Sequence, residues 1–478
     1  MNKDLKKEIE ENQNLGRCER RKKEKQLQKK YKNKSIRIKT GKTFSKGEAL
    51  TRKQRRELMK DKDFLSEIRK IIKKYFPMLT SMFSSLTDNR HKSYITYKIR
   101  TIMVTRLIAL ICGITTMIEI NSTFKTEEAI KNLSTLCNQE LEEIPNWQTI
   151  QDVIEQLDYN EIENIRKYMF QALLRSKMFD RYRYNNFIQL VVDATGLSSH
   201  DYNLNGNCLT RTRDGKTKYY KYVLEAKVVF GNMVISIDSE WIENVESHNE
   251  NQKQDCEVNA FKRMAPRIKK NYPKLTFLIT GDALYATTPM INICKDYKWH
   301  FIFNLKKDRL KGIYEEFEDN INFQNEVEKE NYFLSSGIVF KGNSLQAFRY
   351  IETIKNKKIT FNYISDLKVN NDNIDKIVKL GRYRWKIENE GFNEQKNGTF
   401  NISHLCSRFD NALKIHYLLI QIAHTIRQLF ELGSLVYKKV KKIATKKEIS
   451  TNIINTLISS TITNLKSSKL NFQLRFDD

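Results

Sequence analysis

Proline and glycine are scarce in this chain, 5 and 16 residues of 478. That excludes collagen-like repeats and Pro/Gly low-complexity chains. The seven cysteines (18, 112, 137, 208, 256, 294, 406) lie far apart with no C-x-x-C pair. An odd, scattered set reads as reduced thiols rather than a disulfide frame. There is no G-x-x-x-x-G-K-[ST] loop, so an ATP-driven motor is not supported, and no G-x-S-x-G elbow. No repeat of 20–50 residues is visible. The opening MNKDLKKEIEENQNL lacks an apolar stretch, so no secretory signal is expected. The most apolar run, Ile102 to Ile120, carries Arg106 and Glu119, and reads as a buried helix rather than a membrane span.

Acidic residues are in deficit: 84 Lys and Arg stand against 57 Asp and Glu, a net charge of +27. An excess that large argues about partners, with nucleic acid ahead of an anionic membrane surface. It is also uneven. Arg17 to Lys60 holds 19 Lys and Arg against 4 Glu, so these 44 residues carry +15. The run ERRKKEKQLQKKYKNK reads as a disordered basic arm that orders on a polyanion, each cation releasing a counterion from a phosphate. The remainder, with 40% hydrophobic and 11% aromatic residues overall, can bury a core.

Residues 63–180 read as all-helical. Phe64, Leu65, Ile68, Ile71, Ile72 and Phe76 form a 3.6-period stripe that ends at Pro77. Helices are expected over Thr101–Glu119, Glu127–Leu136, Thr149–Leu157 and Asn160–Arg175. At Asn186 the texture becomes β-rich. FIQLVVDATG is a buried strand ending in an Asp and a turn, and Tyr219–Phe230 with Met233–Trp241 make a hairpin around Gly231-Asn232. LTFLITGDALYA and Trp299–Leu305 are further strands, with Pro289–Lys298 as a crossover helix, so the sheet is mixed and covered by helices. Residues 306–366 read as charged β-hairpins turning at Lys355-Asn356-Lys357. Helical periodicity returns from Asp375 to about Gly433, and a polar tail follows.

Three acidic residues stand where a metal site would want them. Asp193 and Asp282 each close an apolar strand run, where loops converge in α/β sheets, and Glu388 lies within a helix. Oxygen ligands suit a hard cation, and two such ions about 4 Å apart can drive an in-line displacement at phosphorus. Arg384, four residues before Glu388, could hold phosphate on the same helix face. The residues alone leave the alternatives open: turn-forming aspartates, and an i,i+4 surface pair. Glu243 and Asp255 could support the site from behind; His416 and His424 read as buried, and Trp385 as core packing.

The ordered set Asp193, Asp282 and Glu388, with RYRWKIENEGFNEQK, resembles the DDE transposases of bacterial insertion sequences that carry a Y-x2-R-x3-E-x6-K signature, over roughly residues 100–430. Strict spacing puts the signature's Tyr and Lys at Gly381 and Gln395, with Tyr383 and Lys396 nearby. The resemblance implies an α/β fold with an RNase H-like mixed-sheet core (181–305 and 370–433) and a β-rich insertion (306–369). An all-helical DNA-binding domain (63–180) and the basic arm (1–62) would precede it, and a basic tail (434–478) would follow. It implies that Asp193, Asp282 and Glu388 bind catalytic Mg²⁺, two ions with Mn²⁺ as a substitute, and that Arg384, Lys396 and Tyr383 contact DNA. The implied activity is transposition: binding of terminal inverted repeats by a homodimer, hydrolysis to a 3′-OH, and transfer into target DNA. The implied setting is cytoplasmic and nucleoid-associated, without a membrane. The alternatives are an inactive transposase-derived DNA-binding protein and a nuclease without strand transfer.

Overall fold

The computed structural model describes residues 3–12, 17–32, 36, 38, 63–244, 253–354, 357–433, 445–462 and 472–476. The chain divides into two units, Met1–Lys62 and Asp63–Asp478. In the first, helices Lys3–Glu11 and Arg17–Lys30 bury Leu5, Leu27, Ile36 and Ile38 in one small cluster, flanked by Ile9 and Tyr31. The stretch expected as a disordered arm therefore contains folded structure. Its few apolar residues are spaced so that they meet, and the Tyr31 hydroxyl donates to Glu8 at 3.1 Å. Residues 39–62 of the expected arm lie outside the described residues.

The second unit begins with helices. Phe64–Tyr75 is capped by the Asp63 carboxylate, which accepts from Ser66 N–H at 2.8 Å, and its apolar stripe is buried. The helix expected over Thr101–Glu119 is broken: Ile99–Cys112 ends at Gly113 in the left-handed region, and Met117–Thr123 leaves at 88° to it. Among the described residues no single helix is long and apolar enough to cross a membrane. Glu127–Cys137, Trp147–Gln156 and Tyr159–Arg175 complete the set; Asn146, rather than a residue near Thr149, caps the second of these. These helices are not a separate body. They pack around the long helix Asp410–Leu432, buried nearly throughout, and share its core.

The sheet has nine strands: β1 (Ile188–His200), β2 (Leu209–Arg213), β3 (Lys216–Phe230), β4 (Met233–Ile242), β5 (Phe277–Gly281), β6 (His300–Asn304), β7 (Tyr332–Phe340), β8 (Asn343–Ile354) and β9 (Lys357–Ser365). The order is β2-β3-β1-β5-β6-β9-β8-β7, with β4 sharing an edge of β3. β1–β5 and β5–β6 are parallel, joined through helices Glu257–Asn271 and Thr288–Asp296, and the other pairs are antiparallel. This is a mixed α/β fold with an RNase H-like core. Strands β7–β9 extend that same sheet beyond β6 through β9 rather than standing apart, and residues 306–331, read as hairpin, contain helix Lys311–Phe323. The turn expected around Asn356 lies outside the described residues. The tail is not peripheral either: helix Lys446–Ser459, started by a Thr445–Glu448 capping box, buries Ile449, Ile453 and Leu457. Asn132 donates to Leu457 O at 2.7 Å, tying the tail to helix Glu127–Cys137.

Candidate active site

Asp193 does not end its strand. β1 continues to His200 because every residue to that point but Leu197 finds a partner on β3, and Asp193 lies opposite Glu225. On its other side β1 runs parallel to β5, with Val191 level with Thr280. Two residues further along each strand, Asp193 and Asp282 stand side by side. Asp282 follows β5 directly, and its carboxylate accepts the Leu284 N–H at 2.7 Å, which fixes the turn. Gly281 is required here: a Cβ would come within 2.7 Å of the Tyr285 ring. The third acid arrives on a different kind of element. Ile387–Phe392 is a π-helical turn, frequent at functional sites, whose Ile387 and Phe392 pack on Val191, Val229 and Val234. Glu388 is exposed on this turn. One turn earlier Arg384 donates from Nη1 to Asp193 Oδ2 at 3.0 Å, while its buried Nε has no hydrogen-bond partner among the described residues.

Burial pushes the Asp193 carboxyl up to about 6; Arg384 opposes the shift, and the charges of Asp282 and Glu388 add to it. The three predicted acids thus share one field. A fourth, an acidic residue of the KQDCE run passed over in the sequence for Glu243 and Asp255, joins them. Glu257 heads helix Glu257–Asn271 and accepts the Tyr285 hydroxyl at 2.7 Å. Its carboxyl rises to about 7, first through burial and then through Asp193 and Asp282, against the Tyr285 hydrogen bond. Its sequence signal was only an acid in the first turn of a helix, which many helices have. Glu243 and Asp255, the expected supports, are engaged elsewhere. Glu243 takes Lys221 at 3.1 Å and Lys414 at 2.7 Å, and Asp255 takes Arg263 at 2.7 Å.

Among the described residues no three acidic, histidine or cysteine side chains close into a group that could hold a metal ion. The donor set nonetheless fits a hard divalent cation. All its atoms are carboxylate oxygens, their mutual repulsion is visible at Asp193 and Glu257, and Arg384 faces this excess with one hydrogen bond to Asp193.

Beside Asp193, on the same face of the sheet, lies a sealed polar cluster. Glu225 is fully buried and takes the Tyr417 hydroxyl at 2.7 Å, the Ser239 hydroxyl, Arg166 Nη1 at 3.8 Å and Lys227 Nζ at 3.8 Å. Lys227, pushed down to about 8 by burial, donates to Gln421 at 2.9 Å and Gln395 at 3.3 Å. Strand β3 is thereby tied to the segment that follows Glu388.

The remaining predicted residues divide. Gln395 is buried and bonds Gln421 at 2.8 Å, whereas Lys396 beside it is partly exposed. No side chain could stand at 381, because the Tyr363 ring would lie 2.7 Å from its Cβ. Tyr383 packs into two apolar clusters, with Lys379 and Lys386 over its ring, and does not stand free. Trp385, read as core packing, is instead 51% exposed beside the Arg384 guanidinium. His416 and His424 are buried, as expected, His416 against Arg106 at 3.1 Å.

Residues 188–426, half of the chain, match the family model of the transposase DDE domain. Residues 80–169 match a second family, described as DDE_Tnp_1-associated. No curated protein matches the chain.

Proposed function

The chain belongs to the DDE transposase family, and from that premise we propose that it binds the terminal inverted repeats of its own insertion sequence, hydrolyses the phosphodiester at each end, and transfers the freed 3′-OH into target DNA. The observation that carries this reading is Asp193 on β1 and Asp282 just past the parallel neighbour β5, with Glu388 on a turn packed against β1, β3 and β4 and Arg384 bonded to Asp193. Asp193, Asp282 and Glu388 would hold Mg²⁺, as two ions or Mn²⁺ in their place. When bound, these ions would lower the pKa of attacking water and stabilise the leaving oxygen.

Arg384 supplies the complementary part. Its unpartnered Nε gives the guanidinium a donor to turn toward a phosphate oxygen, where charge-assisted hydrogen bonds are strongest. The β3 cluster keeps the carrier of Glu388 in register while the charges beside it change. In the first step water oxygen adds to phosphorus and the bond to the 3′ oxygen breaks, leaving a 3′-OH and a 5′-phosphate. In the second, that 3′-OH adds to a target phosphorus and displaces the target's 3′ oxygen. Lys396 and exposed Trp385 lie on the same segment as further DNA contacts, and the joining of two ends calls for a homodimer.

The test is cleavage of a plasmid carrying the gene's flanking DNA, with Mg²⁺, Mn²⁺ or EDTA, beside Asp193→Ala, Asp282→Ala and Glu388→Gln. Metal-dependent cuts at the flanking repeats, lost in all three variants, support the enzyme. Cuts without joined products would reduce it to a nuclease. Tight repeat binding with intact DNA under every metal would leave a DNA-binding relic.

A further inference from the structure

Strands β2 and β3 leave the body of the sheet as a two-stranded ribbon whose charge is sorted by face. Asp214 (φ 51°) and Gly215 (φ 73°) form its turn, both in the left-handed region, the signature of a tight two-residue hairpin. Pairing sets Arg211 directly opposite Lys218 and Arg213 directly opposite Lys216. Directly opposed residues of an antiparallel pair share a face, so four cations line one side. The other side carries Thr210, Thr212, Thr217 and Tyr219, with the Thr212 and Thr217 hydroxyls 2.9 Å apart.

Like charges directly opposite each other destabilise a hairpin. A ribbon serving only solubility would alternate its charges or mix their signs. Among the described residues Arg211, Arg213 and Lys216 have no ion-pair partner; Lys218 alone has one, Asp201 at 2.7 Å. The ribbon is also anchored. Gln254 bridges Thr210, accepting its N–H at 2.6 Å and donating to its carbonyl at 2.9 Å, and Asn244 donates to Cys208 O at 3.0 Å. Its base is continuous with the site, because β3 runs from Lys216 to Glu225, the partner of Asp193.

We propose that this ribbon is a sequence-independent phosphate clamp that lies along the duplex flanking the reacting phosphate. The inference rests on the transposase reading above. A second copy of the chain is the poorer occupant, since a surface on a molecule of net charge +27 meets like charge there. Nine residues separate Glu225 from Lys216; at about 3.3 Å per residue the tip reaches roughly 30 Å from the site. That corresponds to about nine base pairs at 3.4 Å each.

The test uses the full chain on a duplex carrying a flanking repeat, comparing wild type with the triple variant Arg211→Ala/Arg213→Ala/Lys216→Ala. Binding is measured over a salt series, and hydroxyl-radical footprints are taken at low salt. The slope of log K against log salt should fall in magnitude by about 0.9 for each phosphate no longer neutralised, roughly 2–3 in the triple variant. Protection should vanish up to about nine base pairs from the cut while persisting at it. The triple variant should melt no lower than wild type, since it removes directly opposed like charges. An unchanged slope and footprint in a folded triple variant would overturn the clamp while leaving the transposase reading intact. So would a change of oligomeric state in place of a change of slope. Failure of wild type to bind any repeat duplex would sink the transposase reading itself.

Discussion

Asp193 and Glu225 are directly opposed on adjacent strands, each is approached by an arginine, and they live in different worlds. Glu225 is fully buried, and Arg166, Lys227, Ser239 and Tyr417 converge on it. Its partner Arg166 is itself bonded to Glu163 at 2.6 Å and Ser236 at 2.8 Å, while its buried Nε and Glu225 Oε2 have no hydrogen-bond partner among the described residues. Asp193 is partly open to solvent, has one guanidinium, and shares its field with three other carboxyl groups. A fully buried, charge-paired ion cluster holds a shape, because any change in its charge is costly. An undersaturated one accepts a ligand at little structural cost. The pairing of the two on one face of the sheet sets a receptive site beside a rigid cluster.

The largest effect should come from breaking the Glu225 cluster. Arg166→Met strands Glu225 and Glu163 and is expected to cost about 3–5 kcal/mol in urea unfolding. Asp193→Asn, one strand away, should leave the unfolding midpoint unchanged or higher, yet reduce end cleavage by about a thousandfold or more, as the loss of several kcal/mol of charge stabilisation requires. Equal destabilisation by the two variants would erase the distinction. Next in size is Gly281→Ala, which drives a methyl into the near end of the Tyr285 side chain; a loss of about 1–3 kcal/mol is expected, read in the same unfolding assay.

A pH series sharpens the comparison. The Glu257 carboxyl rises from an ordinary 4.5 to about 7, facing Asp193, Asp282 and the Tyr285 hydroxyl. A raised carboxyl favours the folded state most below about pH 4.5 and loses that contribution as pH climbs through 7. Melting temperature should therefore fall across this window in wild type and fall less in Glu257→Gln. Added Mg²⁺ should raise it more at pH 8 than at pH 5.5, and equal shifts would argue against a cation relieving these acids. The smallest effect is Lys396→Ala, within about 0.5 kcal/mol of wild type in stability. Gln395→Ala should cost about 1–3 kcal/mol by stranding its buried partners.

What was legible in the chain follows from range. The apolar runs at Ile188, Phe277 and His300 end in strong turn chemistry, so three core strands and helix Thr288–Asp296 could be read locally. Asp193 and Asp282 were read from apolar runs that close in an Asp, and Glu388 with Arg384 from their helical spacing and the family resemblance; Arg384 is bonded to Asp193, and the charges of Asp282 and Glu388 act on it. The continuation of β1 to His200 was not readable, because Ala-Thr-Gly-Leu-Ser-Ser resembles a turn until β3 supplies its partners. Helix Lys311–Phe323 was hidden by its charged, aromatic composition. Glu257 belongs to the site only through the packing of its helix and Tyr285, which no spacing encodes.

The wide turn at Ile387–Phe392 bears on how such motifs should be written. A pattern of fixed letter counts assumes an even winding of the backbone, and a π turn uses one residue more than an α turn. Counting seven letters beyond Glu388 stops at a glutamine in the interior, and the eighth is the cation nearest the surface. A search that tolerates one extra letter between acid and base would accept Glu388 with Lys396, where a rigid one would discard the pair.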